Sequence, residues 1–258
     1  MCPSYPAKLN SNPMIKAESL SFSYPGANNP ALCRLELDVE RGQIVCLMGA
    51  NGCGKSTLLC LLAGLFSSFS GTLAVGGHTL PGNQKEVRAL CGMVPQNPDL
   101  FLLGSTLRED MFLGMSKKQA GERAVLFNSL CLEMGLSGLE DRPLQTLSFG
   151  ERRKASIAAA LMHAPQLLLL DEPFSGLDFE AQLHLREIIT ENRNQGITQI
   201  VVAHDLDLIA DLGERFIVLK QGEILAQGGK ETVFPRLREG NVRPPCWWLH
   251  KAPGPEYL

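Results

Sequence analysis

The stretch from Gly49 to Thr57 reads GANGCGKST, and it constrains the fold more than any other part of the chain. It satisfies G-x-x-x-x-G-K-[ST] and stands between an apolar run, GQIVCLMG, and a helical pattern, TLLCLLAGLF. Glycines at this spacing let the backbone curl until its N–H groups face phosphate oxygens. Gly49, Asn51, Gly52, Cys53 and Gly54 then form a cradle, with Thr57 just beyond it. Lys55 supplies a point charge for the β- and γ-phosphates of a nucleotide, and the Ser56 hydroxyl can ligate Mg2+. The plain alternative, a glycine-rich turn before a helix, leaves the joint placement of Gly52, Gly54, Lys55 and Ser56 unexplained. Cys53 reads as a small filler, with sensitivity to thiol reagents as the other reading.

A phosphate loop after a buried strand calls for a parallel sheet with its ligand at the carboxyl ends of the strands. The run QLLLLDEP places Asp171 and Glu172 at such an end. Asp171 can hold Mg2+ through its water shell. Glu172 is placed to orient and deprotonate an attacking water. Two adjacent acids alone are equally the start of a turn, but the phosphate loop gives them a shared task.

The remaining pattern fits an α/β chain. MIKAESLSFSY and ALCRLELDV alternate as strands do, and ITQIVVAHD reads as a second buried parallel strand. FEAQLHLREIITENR predicts the helix before it, and RFIVLKQGEILAQGG predicts a terminal hairpin. Residues 105–163 are mostly helical in pattern. At 258 residues the chain can bury a sizeable core, as one large domain or two small ones. A net charge of −3 argues against nucleic-acid binding by bulk electrostatics. No apolar run approaches the roughly 20 residues a bilayer span requires. Residues 1–13 read as a poorly ordered tail and lack the apolar region of a signal peptide. Eight scattered cysteines without a C-x-x-C pair imply reduced thiols in a cytosolic protein, with no disulfide framework or zinc site. Six of the last twenty residues are proline or glycine, which predicts an irregular tail over 241–258. For Trp247 and Trp248 three roles are open: covering the hairpin, helping a dimer form, or standing exposed.

One further stretch, LSFGERRKASIAAAL from Leu147, predicts a helix start. Ser148 is the N-cap, Glu151 completes a capping box, and an alanine-rich run follows. Such a start attracts anions, although the chain already holds a phosphate cradle far upstream. LSFGE resembles the signature motif of ABC-type ATPases, usually written LSGGQ, and Ser148 lies 23 residues before Asp171. The order of motifs is similar to that family over roughly residues 14–230. The resemblance implies an α/β P-loop NTPase fold: a RecA-like core with an antiparallel β subdomain and an inserted α-helical signature subdomain. The implied ATPase domain spans 14–240, with the insert at about 100–163.

The resemblance also explains the second anion site. In ABC ATPases the signature helix serves ATP held by a second subunit, and two chains packed head to tail sandwich two nucleotides. Ser148 and Gly150 would make those contacts. Phe149 stands where the family has glycine and would narrow or stiffen the dimer seam. Glu151 stands for glutamine, a charge unfavourable near phosphate unless RRK at 152–154 offsets it. The family further assigns Tyr24 to stacking on adenine and Gln96 to the Q-loop, touching Mg2+ or water. Asp178 in SGLD falls in the D-loop that crosses the dimer seam, and His204 is the switch histidine on the γ-phosphate. Catalysis would rest on Glu172, His204, Lys55 and Gln96, and Mg2+ on Ser56, Gln96 and Asp171.

QNPDLFLLGSTLREDMFLG resembles the ATPases of energy-coupling-factor importers, which take up cobalt, nickel or vitamins. That likeness implies a second ATPase subunit, identical or different, and two membrane partners: a coupling subunit and a substrate-binding subunit. It places the chain peripherally at the cytoplasmic face of the inner membrane, with no nucleic-acid partner. The alternatives are the ATPase of a conventional ABC transporter and a soluble, non-transport ABC ATPase.

Overall fold

Alternating side chains build the first two strands, β1 (Ile15–Phe22) and β2 (Leu32–Val39). On β2, Leu35, Leu37 and Val39 are buried while Arg34, Glu36 and Asp38 face out. The alternation of β1 breaks at Ser19, where φ is 50° and the register against β2 shifts. Next come β3 (Ile44–Met48), α1 (Lys55–Leu62), β4 (Ser70–Val75), β5 (His78–Leu80), α2 (Gln84–Leu90) and β6 (Cys91–Val94). Four helices follow: α3 (Leu107–Met111), α4 (Lys117–Glu122), α5 (Ala124–Glu133) and α6 (Phe149–Met162). The chain then runs through β7 (Leu167–Asp171), α7 (Phe179–Asn194), β8 (Thr198–Val202), β9 (Arg215–Lys220) and β10 (Glu223–Gly228). It closes on α8 (Lys230–Val233) and α9 (Cys246–Leu249). This computed structural model describes residues 12–250 apart from 114 and 116.

Two sheets result. β2-β1-β4-β5 form an antiparallel sheet of four strands. The second runs β10-β9-β3-β8-β7-β6, parallel from β6 to β9 and antiparallel at the β10 edge. Every residue of β3, β7 and β8 is buried, as uninterrupted apolar runs require when both faces of a sheet are covered. Their alternate side chains feed two cores. Val45, Leu47, Leu167 and Leu169 join the antiparallel sheet and α1. Cys46, Met48, Leu168 and Leu170 join α5, α6 and α7. The carboxyl ends of β3 and β7 therefore emerge near one another, with α1 and the helical insert on opposite sides.

The tail departs from the expected irregularity. Cys246–Leu249 form a helical turn in which Trp248 meets Phe234 edge-on, ring centroids 5.1 Å apart. Trp247 lies 5.9 Å from the same ring, and the Lys230 ammonium sits 5.7 Å over Trp247. The Cys246 N–H donates to Asp207 Oδ1 at 2.8 Å. Both tryptophans are half-buried and pack against the chain itself, so of the three roles open for them, standing exposed is the one the structure does not show. Residues 251–258 and 1–11, where the rest of the two predicted tails falls, lie outside the described residues. The seven cysteines within them are free thiols.

Candidate active site

The loop between β3 and α1 depends on glycine for two separate reasons. Gly52 has φ 77° in open space, so the need there is conformational. Gly49 (φ 143°) and Gly54 (φ 108°) are also crowded. A Cβ on Gly49 would stand 2.2 Å from the Leu219 carbonyl oxygen, and one on Gly54 2.7 Å from that of Ala31. Gly54 occupies the N-cap of α1 with no side-chain cap, which leaves the N–H groups of the first turn available to an anion. Lys55 is buried and its Nζ donates to the carbonyls of Gly49 at 2.8 Å and Ala50 at 3.1 Å, holding the ammonium inside the curl. Asn51 is exposed at the tip. Cys53 is buried and burial pushes its thiol up, so it packs as a filler and not as a reactive thiolate. Tyr24 and Thr57 hydrogen-bond through their hydroxyls at 3.0 Å. The Tyr24 ring is 44% exposed and stands edge-on to Phe22 and Phe66, leaving surface for a stacked base.

β7 delivers its two acids to this loop. Ser56 Oγ donates to Asp171 Oδ2 at 2.6 Å, tying helix α1 to the strand end. Burial raises the Asp171 pKa above its ordinary value; the Ser56 hydrogen bond opposes the shift, and the neighbouring Glu172 charge adds to it. Glu172 adopts φ 50°, a conformation in which non-glycine residues are strained. Its carboxylate is gripped on both oxygens: Gln96 Nε2 donates to Oε2 at 3.0 Å, and His204 Nε2 lies 2.8 Å from Oε1. The residues in question sit 76 and 32 positions away in sequence, at the ends of β6 and β8. A cleft of about 280 Å³ opens beside them, between Glu172, Phe174, His204 and Leu208. Lys55, Ser56, Asp171, Glu172, Gln96 and His204 thus form one connected cluster.

Ser148, Gly150 and Asp178 stand apart from it; no hydrogen bond among the described residues joins them to the cluster. Ser148 and Glu151 form the full capping box, the Glu151 N–H donating to Ser148 Oγ at 3.2 Å and the Ser148 N–H to Glu151 Oε2 at 2.6 Å. Asp178 Oδ1 accepts from the Ala181 N–H at 2.8 Å and caps α7. The offset expected from RRK is reduced to one of its three cations. Arg152 pairs with Asp99 at 2.8 Å, and Arg153 turns into the core, leaving Arg142, from outside the run, and Lys154 to act on Glu151. Arg153 is a residue that the sequence pattern concealed. Fully buried, it donates to the carbonyls of Pro95, at 2.6 Å, and Gln96.

Comparison with known proteins gives a consistent result. A protein-family model described as ABC transporter matches residues 32–175. The chain is 36% identical over 243 residues to the energy-coupling factor transporter ATP-binding protein EcfA of Methanothermobacter thermautotrophicus, covering 90% of this chain and 77% of that one. It is 35% identical over 242 residues to the cobalt import ATP-binding protein CbiO of Rhodobacter capsulatus, covering 90% and 86%. Among solved structures, it resembles a dimeric ATP-binding cassette in a post-hydrolysis state bound to ADP and Pi. That match has a TM-score of 0.74 and 26% identity, over 84% of this chain and 98% of the other.

Proposed function

Given that this chain belongs to the ABC transporter ATPase family, as an ATP-binding subunit that hydrolyses ATP, we propose that it powers an importer of the energy-coupling-factor type. The cargo would be a transition-metal ion such as cobalt or nickel, or a vitamin. The observation that carries the ATPase part of the reading is the doubly held carboxylate of Glu172 beside the Ser56–Asp171 pair, next to a loop in which a Cβ on Gly49 or Gly54 would clash with backbone. The relatives named for energy coupling and cobalt import support the transport class.

The residues present fit Mg2+, because Ser56 and Asp171 offer adjacent hard oxygen donors and Gln96 stands one bond from Glu172. Bound there, the ion would neutralise charge on the phosphate oxygens. The chain's own residues do the rest. Loop N–H groups and Lys55 hold the phosphates, and the exposed face of Tyr24 takes the base. Glu172 accepts the proton of the attacking water, with Gln96 and His204 fixing its two oxygens. Ser148 and Gly150 present the start of α6 to ATP on a second copy, and Asp178 meets the same seam. Loss of the γ-phosphate then removes the bridge and lets the pair reopen. The groove between α2, β6 and α6 is open to a membrane partner. It measures about 360 Å³ and is lined by Arg88, Phe101, Leu102, Leu113 and His163. Placement at the cytoplasmic face of the inner membrane follows from that docking.

Glu172→Gln keeps the shape of the side chain and removes the base. Turnover is expected to fall by a factor on the order of 10²–10⁴, with an ATP-bound dimer accumulating on size-exclusion chromatography. Turnover near wild type would take Glu172 out of the mechanism. For the transport class, the tagged chain is purified from membranes in mild detergent. A coupling subunit with a small substrate-binding membrane protein supports the importer, whereas a conventional permease pair or no membrane partner overturns it.

A further inference from the structure

Phe149 replaces a glycine in the signature motif, and its ring occupies a definite place. It lies against Gly176, so close that a Cβ on Gly176 would stand 2.4 Å from Phe149 Cε1 and 2.6 Å from Cδ1. The Arg153 guanidinium lies 5.6 Å from the centre of the same ring. One turn after Phe149, that buried guanidinium also holds the Pro95 and Gln96 carbonyls, and Gln96 in turn donates to Glu172. The start of α6 touches the loop after β7 at a second point, since a Cβ on Gly150 would lie in ordinary contact with Gly176 O and Leu177 Cδ2, both 3.9 Å away. The ring therefore joins the helix start at Ser148 to the segment 175–178 behind Glu172, and the Arg153 beside it ties the helix to the segment 95–96 before the helical insert.

We propose that Phe149 is a positioning residue for ATP hydrolysis, locking the start of α6 to the Gly176 loop so that both move as one body. The inference rests on the reading of Ser148 and Asp178 as the elements offered to a second copy. The packing explains why residue 176 must be glycine. Its φ of 74° disfavours a side chain, and the ring occupies the space a Cβ would need. A ring at this position restricts the swing of the helix start relative to Glu172. Removing it leaves each ATP contact in place but loosens their alignment. Misalignment of this kind lowers kcat more than it raises KM.

The test uses the full chain and steady-state ATP hydrolysis with five variants. Phe149→Ala is expected to lower kcat about tenfold while KM for ATP stays within about twofold. Phe149→Tyr, which keeps the ring, restores kcat to within about twofold of wild type. Gly176→Ala is expected to be impaired, and most of its steric loss disappears in the Phe149→Ala background, a non-additive pair. If Gly176→Ala fails to fold, Phe149→Ala against Phe149→Tyr decides alone. Wild-type kcat in Phe149→Ala, or equal losses in the Ala and Tyr variants, overturns the proposal. Ser148→Arg, measured beside them, separates the two layers of argument. Unchanged turnover in Ser148→Arg sinks the signature reading itself, whereas its loss together with an indifferent Phe149→Ala sinks only the role of the ring.

Discussion

Glu151 shows how one residue can serve the fold and burden the chemistry. Its carboxylate accepts the Ser148 N–H at 2.6 Å, and that bond holds its pKa below the ordinary value. A carboxylate at a helix N-terminus also meets the positive end of the dipole, worth about 0.3–1 kcal/mol. The same charge opposes any phosphate brought to that helix start. Glu151→Gln keeps a capping side chain and removes the charge. Thermal unfolding of the variant is expected about 1–4 °C lower. Its KM for ATP is expected to fall about two- to fivefold, the effect of roughly 1 kcal/mol between nearby charges in water. An unchanged KM would place the helix start away from the phosphate. The phosphate-loop residues were readable in the sequence because a loop and a strand end confine them locally. The fates of Arg152 and Arg153 were not. Three cations in a row look like one patch, but each helical residue turns the side chain by about 100°, which sends Arg153 into the core and Arg152 to Asp99.

At the scale of elements, periodicity was a sufficient guide wherever burial is regular. The uninterrupted apolar runs became β3, β7 and β8, and the alternating ones became β1 and β2. It failed for the tail, where proline and glycine predicted irregular chain. The order there comes from contacts distant in sequence: Trp248 on Phe234, and the Cys246 N–H on Asp207. Asp207 follows His204 by three residues, so α9 braces the segment that carries the histidine toward Glu172. Edge-on aromatic pairs contribute about 0.5–1.5 kcal/mol beyond buried area. Trp248→Ala is therefore expected to cost about 1–2 kcal/mol, read as a drop in Tm of about 2–8 °C. Trp248→Phe should recover part of it. A Tm unchanged in the alanine variant would mean that α9 does not hold the domain together.

At the scale of the molecule, the cluster around Glu172 exists only because the parallel sheet brings β3, β6, β7 and β8 side by side. Gln96, Glu172 and His204 each lie one or two residues past the end of one of those strands, so strand order converts distant motifs into hydrogen-bond neighbours. Their individual motifs were legible; the bonds between them depend on register that no local pattern encodes. This arrangement also makes stability responsive to nucleotide. A ligand present at one hundred times its Kd adds about 2.7 kcal/mol to the folded state. ATP with Mg2+ should thus raise Tm by several degrees, and ATP with EDTA by less, since charge on the phosphates is then met by Lys55 and the loop alone. Ser56→Ala removes the hydroxyl that donates to Asp171 and lowers the starting Tm, so increments are the quantity to compare. The variant is expected to keep the increment seen with ATP and EDTA and to lose most of the extra increment that Mg2+ brings. If the full magnesium-dependent increment survives, the ion is held by other residues and the assignment of Ser56 as its ligand fails. If both increments vanish, the substitution has collapsed the cradle, and the phosphate loop depends on the Ser56–Asp171 bond for its shape.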